Sequence, residues 1–153
     1  MLRSLFLSLL LTAAATAQTR PDVNGTWKQD NTRSTVRPGT KYTYWNKIEY
    51  KDPNLTITTM FTGGDRPDSS SSRTYTTDGK PTVSSDREGD QFTTTVKWEA
   101  NALIFETVEK ERANTLTTRE TWTFSADGKT LTKKIQRTGS RGDSDQTYVL
   151  NKQ

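Results

Sequence analysis

Residues 23–28 read Val-Asn-Gly-Thr-Trp-Lys, and this stretch decides the fold of the chain. Alternate residues of a β-strand point to the same face of a sheet, so Gly25 and Trp27 share one face. A glycine leaves room for a neighbouring large ring to lie across the end of a rolled sheet. We therefore expect Gly25 and Trp27 to close one end of a β-barrel.

The residues that follow form a succession of short β-prone runs separated by turn residues. Strict alternation over residues 55–61, 91–98 and 116–124 indicates strands with one buried face. The dipeptides Asp78-Gly79 and Asp127-Gly128 are typical of tight turns that join two strands of a hairpin. The pattern predicts a meander of antiparallel hairpins.

Three segments do not follow this alternation. Residues 29–43 are polar, contain Pro38 and Gly39 and lack helical periodicity, so no helical lid is expected there. Residues 63–72 contain two glycines, a proline and four consecutive serines, which is typical of a loop. Residues 100–112 fit either a strand or a helix, and their β-branched and aromatic side chains favour a strand.

The tally of β-prone runs predicts an all-β domain over residues 18–153. Its expected architecture is an up-and-down antiparallel barrel of about 8–10 strands, because a long meander avoids exposed edges by closing on itself. About ten strands enclose more volume than a modest apolar set can fill, so an interior cavity is expected. The alternative is a flattened barrel with a filled core.

The first 17 residues have the features of a secretory signal peptide. Arg3 supplies the positive start, residues 5–11 the apolar run, and Ala15-Thr16-Ala17 a cleavage site, with cleavage expected after Ala17. The apolar run is too short to span a bilayer, so no integral membrane segment is expected after cleavage. The predicted location is secreted or periplasmic.

The composition excludes several classes of function. The chain contains no histidine and no cysteine, which excludes imidazole bases, Cys or Ser nucleophiles paired with histidine, and common zinc or haem ligands. The formal net charge of +4 is spread along the chain and lacks the clustered stripe typical of nucleic-acid binding. We expect no cofactor, no metal, no nucleic-acid partner and no enzymatic activity.

The layout resembles that of lipocalin-like bacterial secreted domains of the calycin superfamily, and in strand count it is nearest to fatty-acid-binding proteins. The resemblance is carried by Gly-x-Trp near the first strand, by Lys-Trp-Glu, by a Trp-containing hairpin and by the terminal strand, at residues 25–28, 97–99, 120–132 and 147–153. In fatty-acid-binding proteins an Arg-x-Tyr pair on the last strand holds a carboxylate. The matching residues are Gln146 and Tyr148, so that arginine is missing here.

The inward-facing positions supply the candidate ligand-binding residues. Most of these residues are large and apolar, three are charged, and Tyr148 is included because of the resemblance. They are Phe61, Phe92, Val96, Trp98, Glu120, Trp122, Phe124, Lys133, Ile135, Arg137 and Tyr148. A charge that faces a barrel interior is costly unless it is paired. We therefore expect Glu120 to pair with Lys133 or Arg137 and to orient a polar ligand group. The alternative is a strand bulge that turns these charges to solvent.

The expected function is that of an exported, monomeric protein holding a small apolar or amphipathic molecule inside its barrel. The alternative is a cell-envelope protein-interaction module, in which the barrel is filled and the loops bind a partner. An enzyme would require a close pair of carboxylates in a cleft. An open cavity would favour ligand binding, a filled barrel with an exposed apolar patch would favour the interaction module, and converging carboxylates would favour an enzyme.

Overall fold

The computed structural model describes residues 20–65, 67–86, 89–111, 114–140 and 142–153, so the expected signal peptide lies outside the described residues. The described residues form ten strands: β1 (Gly25–Gln29), β2 (Thr43–Lys51), β3 (Asn54–Thr62), β4 (Ser69–Thr76), β5 (Thr82–Ser85), β6 (Gln91–Glu99), β7 (Ala102–Glu111), β8 (Asn114–Phe124), β9 (Thr130–Gly139) and β10 (Ser144–Lys152). Within these ranges, no helical segment has the length and hydrophobicity needed to cross a bilayer.

All ten strands belong to one antiparallel sheet with the order β4-β3-β2-β1-β10-β9-β8-β7-β6-β5. Pairing of β1 with β10 joins the first strand to the last and rolls the sheet into a nearly closed barrel. The prediction of an all-β, up-and-down barrel is confirmed. The ambiguous stretch 100–112 contains strand β7, which pairs with β6 and β8, although Arg112 itself lies outside the described residues.

One end of the barrel is filled by apolar side chains, and we call it the packed end. Its core includes Val23, Trp27, Ile48, Leu55, Val96, Leu103, Leu131 and Leu150, which are all fully buried. The indole of Trp27 donates a hydrogen bond to the Val23 carbonyl at 3.0 Å. Its ring meets the edge of the Phe124 ring with centroids 5.7 Å apart. Trp27 therefore lies inside this end of the barrel, with its polar atom satisfied.

The space beside Gly25 is used differently from the sequence-based expectation. A Cβ atom at Gly25 would lie 2.9 Å from Cε of Lys152, so the side chain that passes over the glycine belongs to the last strand. The Lys152 ammonium then lies 5.4 Å from the centroid of the Trp27 ring. Gly25 thus makes room for the Lys152 side chain, whose ammonium lies beside the Trp27 ring on the same face of the sheet.

Gly25→Ala should destabilise the barrel by about 1–3 kcal/mol, because the backbone φ of +124° is a conformation that residues with a side chain rarely adopt. Gly128→Ala is the matched control, since Gly128 also has a positive φ, of +66°, but no atom within 4 Å of the added Cβ. Urea denaturation followed by circular dichroism measures both. If Gly25→Ala lowered the free energy of unfolding less than Gly128→Ala does, the role of Gly25 in making room for Lys152 would be contradicted.

Residues 30–42, between β1 and β2, contain turns and no helix, so the expected absence of a helical lid is confirmed over this segment. The backbone N–H of Asp30 donates to the Val149 carbonyl at 2.8 Å, and that of Thr35 donates to the Thr147 carbonyl at 2.7 Å. The segment therefore continues along β10 where β1 ends. Over residues 30–35 it adds to the wall of the barrel.

Two local predictions were wrong. Residues 69–72 are part of β4 and not of a loop, because their backbone pairs with residues 58–61 of β3 although their serine side chains are exposed. The turn at Asp78-Gly79 does not join β4 to β5 as a hairpin. It directs the chain onto β6, where the Gly79 N–H donates to the Val96 carbonyl at 3.0 Å and Asp78 bridges to Lys97.

As a result, β4 and β5 are the two end strands of the sheet and are not hydrogen-bonded to each other. We call the interval between them the seam. The contacts that cross the barrel wall at the seam include the Asp78–Lys97 bridge with the adjoining Gly79–Val96 hydrogen bond near the packed end, and a side-chain contact between Arg73 and Phe92. At the seam the barrel is therefore closed by one short backbone bridge and by side chains, and elsewhere it is closed by strand pairing.

Candidate functional site

The half of the barrel away from the packed end contains a cavity with two adjoining compartments. The first has a volume of about 210 Å³ and the second of about 240 Å³. The two compartments share four lining residues, Arg73, Tyr75, Phe105 and Glu120. The first is further lined by Tyr44, Asn46, Ile57, Thr59, Ser71, Trp122 and Lys133, and the second by Phe92, Thr94, Thr107, Glu109, Thr118 and Arg137. The cavity is therefore lined by both aromatic and charged side chains.

Strand register brings the central residues of this cavity together. Trp122 of β8 lies opposite Leu103 on one neighbouring strand and opposite Lys133 on the other. Glu120, two residues earlier on β8, lies opposite Phe105. Because alternate residues share a face, Trp122 and Glu120 both point inward. The alternation of β8 thus supplies a ring and a carboxylate to the same compartment.

Lys133 is the most deeply buried charged residue of the cavity, with 2% of its surface exposed. Its ammonium donates hydrogen bonds to the Tyr44 hydroxyl, at 3.1 Å, and to Oδ1 of Asn46. It also lies 3.7 Å from the centroid of the Trp122 ring, close enough for a cation–π interaction. The lysine is therefore held by neutral groups, and the alternative of a bulge that turns it to solvent is wrong.

Glu120 does not form the ion pair expected from the sequence. Its Oε2 accepts a hydrogen bond from Nε1 of Trp122 at 2.8 Å, and among the described residues no ion pair joins it to Lys133 or Arg137. The physical reason is the position of Trp122, whose ring face meets Lys133 while its N–H meets Glu120. The indole is an uncharged link between the two charges.

Arg137 and Tyr148 meet at Gln146 near the second compartment. Both Nη1 of Arg137 and the Tyr148 hydroxyl donate to Oε1 of Gln146, each at 3.1 Å. The phenol donates in its neutral form, and burial favours that form by raising the pKa of Tyr148 above its usual value. The residue that matches the missing family arginine is therefore itself hydrogen-bonded to an arginine from the neighbouring strand.

Arg73 and Tyr75 of β4 form the wall of the cavity beside the seam. The guanidinium of Arg73 lies 5.5 Å from the centroid of the Phe92 ring across the seam. The Tyr75 ring meets the edge of Phe105 with centroids 5.8 Å apart, and burial raises the pKa of its hydroxyl. An aromatic cluster thus continues from the seam across the cavity to Trp122, whose ring centroid is 4.5 Å from that of Phe105.

The structure divides the predicted ligand-binding residues into three groups. Those that line the cavity are Phe92, Glu120, Trp122, Lys133 and Arg137. Those that pack at or beside the packed end are Val96, Trp98 and Phe124, where Trp98 donates from Nε1 to the Tyr50 hydroxyl at 3.1 Å. Those that lie next to the cavity without lining it are Phe61, Ile135 and Tyr148; Phe61 is 38% exposed at the rim and contacts Tyr42 and Tyr44.

The sequence-based selection missed several lining residues. Asn46 and Tyr44 lie on the inward face of β2. A search for apolar residues at alternate positions does not select them, because one has an amide side chain and the other a phenol. Phe105 belongs to the stretch that also fitted a helix, so its face was not assignable. Ile57 and Thr59 share the inward face of β3 with Phe61, as the alternation over residues 55–61 predicts, but only Phe61 was selected as a candidate. These residues could have been found from the alternation of inward and outward positions along each strand, applied to every residue type.

Acidic residues in the cavity are not placed as a close acid–base pair. Glu109 lies four residues beyond Phe105 on β7, and Glu120 lies opposite Phe105. At about 3.3 Å per residue this separates the two backbones by at least about 13 Å. Within the described ranges, no cluster of three or more Asp, Glu, His or Cys side chains could hold a metal ion.

Comparison with known proteins identifies the fold. No family model matches the sequence, and no curated protein sequence matches it. A heat soluble (SAHS) protein from Ramazzottius varieornatus matches with a TM-score of 0.64 at 11% identity, over 89% of this chain and 98% of that chain. The structure named REP1-NXSQ fatty acid transporter matches with a TM-score of 0.59 at 16% identity, over 86% and 96%.

A third match is the zebrafish ileal bile acid-binding protein in complex with cholic acid. Its TM-score is 0.56 at 14% identity, over 85% of this chain and 98% of that chain. The matches cover nearly the full length of each solved chain, so this chain spans one whole barrel of the same kind. The chain therefore has the calycin-type barrel fold that fatty-acid- and bile-acid-binding proteins share.

Proposed function

We propose that this protein binds a small amphipathic molecule inside its barrel. The observation that carries the proposal is the cavity, which adjoins the packed core and has aromatic and aliphatic walls with charged groups between them. Apolar burial against Ile57, Phe105 and Trp122 would supply binding free energy, and the polar groups would fix orientation. The shared fold with barrels whose names state fatty-acid or bile-acid binding supports the same class of function.

We further propose that the protein acts as a monomer outside the cytoplasm. The support for export is the leader at residues 1–17, with its positive start, apolar run and small-residue cleavage site. A monomer is sufficient for this site, because one chain supplies a complete set of lining residues. N-terminal sequencing of the protein recovered from its native host would test the leader: a mature N-terminus at Gln18 supports export, and an intact Met1 contradicts it.

Binding is tested by titrating the purified chain with an uncharged, environment-sensitive naphthalene dye and displacing it with fatty acids, sterols, quinones and retinoids. We expect saturable one-to-one binding. Thr59→Phe, which fills the first compartment, should weaken dye binding at least tenfold. Thr58→Phe is the matched control, because Thr58 is on the outer face, where its hydroxyl bonds to Ser72, and this change should leave binding unaltered.

The outcomes separate cavity binding from other sites. Equal weakening by the two substitutions would place the dye on the surface of the barrel. A folded protein without saturable binding would show that the cavity does not admit ligand, and the protein-interaction alternative would then take the place of this proposal.

A further inference from the structure

We infer that the bound molecule carries a carboxylate, and that this group binds at Lys133 and Tyr44 in the first compartment. The inference rests on the proposed function, since it names the chemical class of ligand for the same cavity. It starts from the charges that line the two compartments.

The lining contains three cationic residues, Lys133, Arg73 and Arg137, and two anionic residues, Glu109 and Glu120. In the described part of the chain, none of these five belongs to an ion pair, whereas charged residues on the outer surface do pair, as Arg119 does with Glu99 and Glu106. The excess of one positive charge faces the cavity. A ligand with a single negative charge would neutralise it.

Lys133 is where that positive charge is least hydrated. Its partners are a phenol, an amide and the face of an indole, all of them neutral. A buried cation without an anion is costly, and an anionic ligand removes that cost when it binds. An ammonium has three N–H donors. Two bond to Tyr44 and Asn46, which leaves one without an oxygen or nitrogen acceptor among the described residues.

The hydroxyl of Tyr44 can supply the second donor. It accepts from Lys133 and donates to Oδ1 of Asn46 at 3.0 Å, and that same Oδ1 also accepts directly from Lys133. Rotation of the Tyr44 O–H toward a ligand therefore leaves the Asn46 oxygen satisfied. The third N–H of Lys133 and the turned O–H of Tyr44 together match the two oxygens of a carboxylate.

The size of the cavity indicates a short molecule. Each compartment alone is smaller than the roughly 300–1,000 Å³ typical of small-molecule sites, and the two together reach the lower part of that range. A medium-length chain would extend from Lys133 along Trp122 and Phe105 toward Tyr75. Octanoate is therefore a suitable probe.

The test compares octanoate, octan-1-ol and octylammonium by isothermal titration calorimetry. These probes share a chain and differ in the charge of the head group. The wild-type protein should bind octanoate at least tenfold more tightly than either of the others. Lys133→Met should weaken octanoate binding at least tenfold and leave octanol binding unchanged or tighter. Lys134→Met, on the exposed outer face of the same strand, removes an equal charge and should leave all three affinities unchanged.

Two more variants locate the head group. Tyr44→Phe should weaken octanoate binding at least threefold without affecting octanol, and it provides a readout that does not depend on the folding of Lys133→Met. Arg137→Met removes the cation that bonds to Gln146 and should weaken octanoate less than Lys133→Met does. A larger loss for Arg137→Met would overturn the inference in favour of a site at Arg137 and Tyr148.

The remaining outcomes separate the inference from the proposed function. Equal binding of octanoate and octanol would overturn the carboxylate site while leaving cavity binding intact. Tightest binding of octylammonium would assign the head group to Glu109 or Glu120 and would also overturn it. Absence of binding by all three probes and by the naphthalene dye would overturn the proposed function itself.

Discussion

Trp27→Ala is expected to lower the free energy of unfolding by about 3–5 kcal/mol. The ring is fully buried, contacts Phe124 and uses its only polar atom to bond to the Val23 carbonyl. Its removal leaves a cavity among rigid strands and an unsatisfied carbonyl. Since single domains are stable by only about 5–15 kcal/mol, the variant should unfold at a much lower urea concentration, as measured by far-ultraviolet circular dichroism.

Trp45→Ala is the matched control for this prediction. Trp45 is on the outer face of β2, half-buried, where its indole bonds to the Thr62 hydroxyl at 3.0 Å and Lys28 lies 4.9 Å from its ring centroid. Its removal exposes no core, so the loss should be clearly smaller. Equal losses for the two tryptophans would show that the packed end does not dominate the stability of the barrel.

The second large effect concerns Asn46, which is fully buried. Asn46→Leu should cost about 1.5–3 kcal/mol, because it removes an acceptor from the buried Lys133 ammonium. The same substitution should cost less when Lys133 is already methionine. Lys133→Met alone should not destabilise the protein, since it removes a buried charge with no ionic partner and leaves Asn46 bonded to Tyr44.

A double-mutant cycle on Asn46 and Lys133 measures this dependence. We expect a coupling free energy of about 1–3 kcal/mol from urea denaturation of the wild type, both single variants and the double variant. Additive losses would show that Asn46 acts through its bonds to Thr59 and the Trp45 carbonyl and not through the lysine. That outcome would be a separate finding about β2, independent of ligand binding.

Most of the barrel could be predicted from alternation and turn residues, because each hairpin is a local structure. The failures occurred where apolar alternation and turn residues do not mark which strands pair. Residues 69–72 pair through their backbone and expose serines, so no apolar alternation marks them as a strand. The turn at Asp78-Gly79 has hairpin chemistry, but its residues contact β6, and β5 forms its hairpin with β6 and not with β4.

The candidate site was predictable only in part for a related reason. Parity placed Glu120, Trp122 and Lys133 inside the barrel, and the structure agrees. The partners of Lys133 could not be found this way, because Asn46 precedes it by 87 residues and reaches it across the barrel. Charge alone predicts an ion pair between Glu120 and Lys133 or Arg137. It does not form because an indole occupies the space between the two charges.

The seam between β4 and β5 leaves the ring of strands open along one line, and this determines where the barrel can open locally. A continuous cylinder of strands must break backbone hydrogen bonds to widen, whereas a split one can widen by bending along its length. Here the Arg73–Phe92 contact is a side-chain contact, so separating it costs far less than opening a strand pair. Amide hydrogen exchange should consequently be fastest in the two strands that flank the split, and a molecule passing between them would leave the backbone pairing of the sheet intact.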